Sequence, residues 1–269
     1  MPIISVNGLG IAYEQAGQGP PLVLLHGIGS NARAWRRQLA GLADAYTVIA
    51  WDAPGYGKSG DPPGEPTMGD WAEYLAGFLS GLKLPAAHLL GLAWGGTLAQ
   101  EFYGRHPERV LSLILADSSS GGGADPPSLR DGALQARLQA LETLTPAEIG
   151  RARAPVLLSG QASSALIQEV AEIFAEIHPA AYRQAAIASS QADERPVQSQ
   201  IKVPTLVLWG EYDRVTPRDK SEQVRNAIAG ARLILIRNAG HVSNQEQPVQ
   251  FNVAVREFLA KVAVQAPAG

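Results

Sequence analysis

Cysteine is absent from the chain, which removes disulfides, thiolate nucleophiles, cysteine-ligated zinc and iron–sulfur clusters together. No apolar run approaches the 18 residues of a membrane span. The opening Met1-Pro2-Ile3-Ile4-Ser5-Val6-Asn7 lacks the basic start and long apolar stretch of a secretory leader. A cytoplasmic location with no membrane partner is therefore expected. Charge is sparse: 22 basic against 25 acidic side chains give a net −3, which speaks against a phosphate backbone and hence against a nucleic-acid partner. What is present in the 269 residues is 46% hydrophobic and 17% charged, the proportions of a globular, enzyme-sized chain. Surface scaling gives roughly 11,000 Å² folded against roughly 41,000 Å² unfolded, so one ample core closes without a staple.

With 28 glycines and 19 prolines, many tight turns are expected, and no internal repeat or linker divides the chain. Asn7-Gly8 joins two short extended segments, Ile3 to Val6 and Gly10 to Tyr13, as a hairpin. Six apolar runs follow with the character of strands buried on both faces: Leu22 to Leu25, Tyr46 to Ala50, Ala87 to Leu90, Leu111 to Ala116, Thr205 to Trp209 and Arg232 to Ile236. Helical patterns separate them. Thr67 and Asp70 form a capping-box variant ahead of Met68, Trp71, Leu75, Phe78, Leu79 and Leu82 on one face. Thr216-Pro217 opens another helix, and a last one begins near Gln247-Pro248. Such alternation predicts an α/β protein with a mostly parallel central sheet flanked by helices. Between Ser118 and Pro196 the rhythm breaks into short helices without a strand. We therefore expect residues 118–196 to form a helical lid inserted into a core of residues 1–117 and 197–269.

Chemistry concentrates at Gly91-Leu92-Ala93-Trp94-Gly95-Gly96, which follows a buried strand and precedes a helix. The strand, turn and helix with these glycines match a nucleophile elbow, G-x-S-x-G, in which a sharp turn lifts one side chain above the sheet. Its nucleophile position is Ala93, and a methyl group cannot attack a carbonyl. The glycines taken alone also fit a close helix–strand approach in a protein with no catalysis. The other reading is a serine hydroxyl removed, deliberately to trap a substrate or by natural loss, and the intact surroundings favour the deliberate change. Downstream, Asp213 ends the Leu206-to-Tyr212 segment and His241 follows Asn238-Ala239-Gly240. The order nucleophile, acid, base assigns His241 as general base and Asp213 as the residue orienting its imidazole. Asp117 is the rival acid, while Glu211 has the character of a surface pair. His88, His106 and His178 stay unassigned, and His26 supports its own loop. The oxyanion donors expected are the amides of Trp94 and Ile28.

Other chemistries leave more unexplained. His26-Gly27-Ile28-Gly29-Ser30-Asn31-Ala32 fits a dinucleotide fingerprint in isolation, and Gly57-Lys58-Ser59 has the end of a phosphate loop but Asp52 where its first glycine belongs. An aspartate nucleophile, or a binding protein without turnover, are further alternatives for position 93.

Asp52-Ala53-Pro54-Gly55-Tyr56-Gly57-Lys58-Ser59, His26-Gly27-Ile28-Gly29, the elbow, Trp209-Gly210-Glu211-Tyr212-Asp213 and Gly240-His241-Val242-Ser243-Asn244-Gln245-Glu246-Gln247-Pro248 together resemble the α/β-hydrolase superfamily over nearly the whole chain. Within it the sequence is similar to the branch of 3-oxoadipate enol-lactonases, meta-cleavage-product hydrolases and small carboxylesterases. The resemblance implies hydrolysis of an ester, lactone or enol-lactone, or of a carbon–carbon bond beside a carbonyl, with no cofactor or metal. The partner it implies is a small carbonyl compound, and the oligomeric state stays open. Because many substrates of the branch are acidic, Asn31 or Arg33 is expected to meet a carboxylate, although Arg33, Arg36 and Arg37 also fit a solvated helix face. Trp35, Trp94, Leu129, Leu166 and Phe174 are expected pocket walls or core.

Overall fold

The computed structural model describes residues 1–265. Eight strands form one sheet: β1 Ile3–Val6, β2 Leu9–Ala16, β3 Pro21–Leu25, β4 Thr47–Trp51, β5 Ala87–Leu92, β6 Val110–Ala116, β7 Thr205–Gly210 and β8 Arg232–Ile236. Their spatial order is β1-β2-β4-β3-β5-β6-β7-β8. β2 is antiparallel to both neighbours, and every pairing from β4 through β8 is parallel. The hairpin turn at Asn7-Gly8 carries positive φ at both residues, 52° and 83°, the requirement that selects this dipeptide.

The parallel strands lie between two apolar layers, and alternate side chains serve opposite faces. Val23, Leu25, Leu89, Leu113, Leu115 and Val207 pack with Trp71, Phe78 and Phe102 on one side. Leu22, Leu24, Leu90, Ile114, Leu206 and Leu208 pack with Trp35, Phe251 and Leu259 on the other. The first layer is supplied by α2 (Met68–Gly81), α3 (Trp94–Arg105) and α9 (Arg218–Ala227), the second by α1 (Arg36–Leu42) and α11 (Pro248–Gln265). The Thr67–Asp70 capping box forms, with Thr67 N–H donating to Asp70 Oδ2 at 2.7 Å. The helix expected from Thr216 starts at Arg218, because Thr216 spends its amide on Asp213. The accessible surface is 11211 Å², close to the scaling value.

Between β6 and β7 the chain runs through α4 (Pro127–Thr143), α5 (Pro146–Leu157), α6 (Ser164–Phe174), α7 (Pro179–Gln191) and the one-turn α8 (Arg195–Gln198), with no strand. This insertion has a small core of its own, built from Ile149, Phe174, Ile177 and Tyr182. Charged pairs tie it to α1 and the turn before it: Glu169 meets Arg36 at 2.6 Å and Arg37 at 2.8 Å, and Glu176 pairs with Arg33. A further short helix, α10 (Ser243–Glu246), follows β8.

Candidate active site

The end of β5 turns sharply into α3 at Ala93, whose φ of 51° and ψ of −115° lie in a region an L residue rarely occupies. Four hydrogen bonds hold it there: Ala93 N–H donates to the Ala116 carbonyl at 2.9 Å, and its own carbonyl accepts from Gly96 N–H and Ser118 Oγ–H, each at 2.9 Å, and from Thr97 N–H at 3.2 Å. The flanking glycines are sterically required. A Cβ on Gly95 would sit 2.1 Å from the Leu25 carbonyl oxygen, and one on Gly91 would sit 2.2 Å from that of Gly95. The elbow is therefore fully built although its apex is a methyl group.

Asp213 lies in the loop after β7. Its Oδ1 accepts from the amides of Val215 and Thr216 at 2.8 and 2.9 Å, leaving Oδ2 for His241 Nδ1 at 2.9 Å. The two side chains are 0% and 8% exposed. Pairing with a carboxylate assigns the imidazole proton to Nδ1, so Nε2 carries the free lone pair. The loop holding His241 is fixed by Glu246, whose carboxylate accepts from Gly240 N–H at 2.8 Å and from Ser159 N–H at 3.0 Å. It is also fixed by the close approach to β7 that Gly210 permits, where a Cβ would lie 2.1 Å from the Gly240 oxygen.

The rival acid, Asp117, stands behind this pair. It accepts from Gly210 N–H at 2.7 Å and from Ser243 Oγ–H at 2.5 Å and makes no hydrogen bond to the His241 ring among the described residues. Burial, then the charge of Asp213, pushes its carboxyl above the ordinary range.

Ala93 and His241 line one cavity. Gly27, Ile28 and Gly29 form one edge of it and Leu157, Val170, Ile173 and Phe174 another. The Ile28 amide has no acceptor among the described residues, and the Trp94 amide, first of α3, has no intrahelical acceptor by geometry.

The other expected residues divide. Phe174 lines the cavity and packs against Gly29. Leu129 does not: it is 65% exposed on α4, since that helix buries none of its residues. Leu166 is half-buried in the layer of α1 and α11, away from the cavity. The Trp94 indole turns from the cavity into the core, where its Nε1–H points at Met68 Sδ and its ring meets Trp71 edge-on. Trp35 is core beside Phe251. Asn31 and Arg33 are also elsewhere. Asn31 accepts from Arg33 N–H and donates to Glu176 Oε2 at 2.8 Å, and the Arg33 guanidinium also binds Glu176, so their polar groups are satisfied in a separate surface depression.

His26 is buried, with Ala53 N–H donating to Nε2 at 3.0 Å and Nδ1 bonded to the Gly27 carbonyl. Burial lowers its pKa to about 4, so it is a neutral brace for the loop. The Asp52-to-Ser59 segment is likewise structural: Asp52 accepts from the amides of Ala32 and Lys58. Sequence reasoning missed Arg137, Arg153, Tyr182 and Gln245 in the cavity wall. One signal existed for Arg153, which falls midway between Ile149 and Leu157 on the inward stripe of α5.

With this geometry in view, comparison with known proteins is direct. The chain matches the family described as alpha/beta hydrolase fold over residues 20–248, and it belongs to that family. It is 30% identical to a 2-hydroxy-6-oxononadienedioate/2-hydroxy-6-oxononatrienedioate hydrolase of Escherichia coli over 94% of this chain and 92% of that protein. It is 26% identical to 3-oxoadipate enol-lactonase 2 of Acinetobacter baylyi, covering 96% of each. A thermophilic esterase from Thermogutta terrifontis superimposes with a TM-score of 0.88 at 28% identity, over 97% of this chain and 98% of that one. No helix among the described residues is long and apolar enough to cross a membrane.

Proposed function

We propose that this chain is a serine-type hydrolase of a carboxylic ester, lactone or enol-lactone in a form that lacks its nucleophile. The observation that carries the reading is the strained, fully hydrogen-bonded elbow at Ala93 facing the same cavity as an intact His241–Asp213 pair. Backbone strain of this kind costs ~1–3 kcal/mol and contributes nothing to packing. It is useful where a side chain must be presented to a reacting atom.

With serine at 93, His241 Nε2 would take the hydroxyl proton as Oγ bonds to the carbonyl carbon. The Ile28 and Trp94 amides would hold the oxyanion, and Asp213 would stabilise the imidazolium. The tetrahedral species would then release the alcohol with that proton, leaving an acyl-serine that water hydrolyses by the same route. With a methyl group at 93 the chain keeps the binding cavity, and turnover falls by up to ~10⁶. We further read the insertion as a lid over the site and the molecule as acting on a small carbonyl compound without a cofactor.

Cleavage of a carbon–carbon bond beside a carbonyl is the second reading, supported by the likeness to the Escherichia coli protein. The test is Ala93→Ser assayed with short p-nitrophenyl esters and a vinylogous 1,5-diketone. Ester hydrolysis appearing with the substitution is the expected result. Diketone cleavage alone would move the assignment to the carbon–carbon class. No activity on either would leave a binding protein and end the hydrolase reading.

A further inference from the structure

Two guanidinium groups reach the cavity from the helical insertion, and nothing in the reaction sketched above uses them. Arg137 comes from α4 and Arg153 from α5, and both line the cavity with Ala93 and His241. The Arg153 Nε–H is buried without a hydrogen-bond partner among the described residues. The cavity wall contains no aspartate or glutamate. Acids of the insertion that form ion pairs do so elsewhere: Asp125 with Lys220, Asp131 with Arg130, Glu142 with Arg183, Glu169 with Arg36 and Arg37, Glu176 with Arg33, and Asp193 with Arg195. The arginines on α1 and in the turn before it are thus neutralised, whereas the cavity pair is not. Burial, then the charge of Arg137, depresses the Arg153 pKa, with Tyr182 acting the other way.

A half-buried cation beside a like charge, with an unsatisfied donor in a largely apolar chamber, is an arrangement that an anion completes. We propose that Arg137 and Arg153 form the anion-recognition end of the cavity and take a carboxylate carried by the substrate, while the reacting carbonyl lies at the Ala93 end. This deepens, and rests on, the reading of the cavity as a carbonyl-substrate site. The planar guanidinium fork matches a carboxylate edge. The apolar wall of Leu157, Ile173 and Phe174 excludes water that would weaken the pairing, and favours a compact monoanion.

The test needs no turnover, so it stands apart from the fate of the serine reading. Monomethyl glutarate and dimethyl glutarate share a skeleton and differ in one charge. Titrated calorimetrically into the chain as it stands, the monoester should bind at least roughly tenfold more tightly than the diester. Arg153→Met should collapse that preference, and Arg153→Lys should recover part of it. Arg137→Gln, at the more open position, provides a second probe should Arg153→Met fail to fold. Equal binding of the two esters, no binding of either at millimolar concentration, or an undiminished preference in a folded arginine variant would overturn the proposal. If Ala93→Ser shows no hydrolysis while the preference holds, only the catalytic reading fails.

Discussion

Ala93 occupies a conformation that only its surroundings enforce, and the four hydrogen bonds around it survive without the hydroxyl that such a turn presents. The same independence applies to the imidazole. His241 is oriented by Asp213, and Asp213 by two backbone amides, so neither depends on what stands at 93. In the Ala93→Ser protein, Asp213→Asn should therefore lower kcat by ~10²–10⁴ with little change in KM, because the imidazole loses its tautomer and its counter-charge. Asp117→Asn should cost far less in kcat and show chiefly in stability, since Asp117 serves Gly210 and Ser243. A larger kcat loss at 117 than at 213 would reverse the assignment of the acid. The elbow, Asp213 and His241 were legible in the sequence because each sits at a strand end in a short motif with a fixed physical purpose. Arg137 and Arg153 were not, since they come from helices of an insertion where polar residues have no required spacing. That Asn31 and Arg33 sit in a depression apart from Ala93 was hidden for a related reason: the Glu176 that binds both lies more than 140 residues along the chain.

At the scale of elements, the sheet was readable because strands buried on both faces are written as unbroken apolar runs, and every parallel strand lies within two residues of its expected bounds. The start of α9 was less so: Thr216 was read as its cap, and the helix begins at Arg218 behind Pro217 with no side-chain cap. The insertion was readable only as short helices without a strand, and caps such as Thr145 with Glu148 emerge from the structure. The inward faces of its helices were obscured by weak amphipathicity, as the exposure of Leu129 illustrates. The junction of β5 with α3 is where sequence and packing are most tightly coupled. Gly95→Ala should destabilise the protein by about 3 kcal/mol, since the new Cβ meets backbone oxygens of Leu25 and His26 that cannot move aside. Thermal unfolding would read this as a fall of roughly 6–12 °C. Gly132→Ala, in the exposed middle of α4 with open space around it, should instead stabilise by about 0.5–1 kcal/mol. Equal responses at the two positions would mean that the close approach at the elbow is not a constraint.

For the molecule as a whole, buried titratable groups set how stability depends on pH. His26 and His88 have pKa values lowered by burial from 6.5 to about 4. Their contribution is complete above pH 6.5 and is lost as pH falls toward 4, where the unfolded chain binds protons that the folded one refuses. Glu194 acts in the opposite sense. Buried between α7 and α8 with Oε2 unpartnered, its carboxyl is pushed from 4.5 up to about 8, first by burial and then by the charges of Glu101 and Asp193, with Arg105 opposing. The folded state holds a proton there that the unfolded state has released, so stability declines as pH rises from 4.5 through 8. Two histidines against two raised carboxyls, Glu194 and Asp117, leave little net change up to about pH 6.5, and beyond it the acid-holding groups alone remain. Stability to urea should accordingly vary little up to about pH 6.5 and fall toward pH 8. Replacing Glu194 by Gln removes its share of the alkaline decline, up to about 1.4 kcal/mol per pH unit, so the variant should gain on the parent steadily across that window. A decline of unchanged slope in a folded Glu194→Gln protein would show that the proton is held elsewhere, with Asp117 and Asp52 as the other groups whose carboxyls burial raises in the same direction.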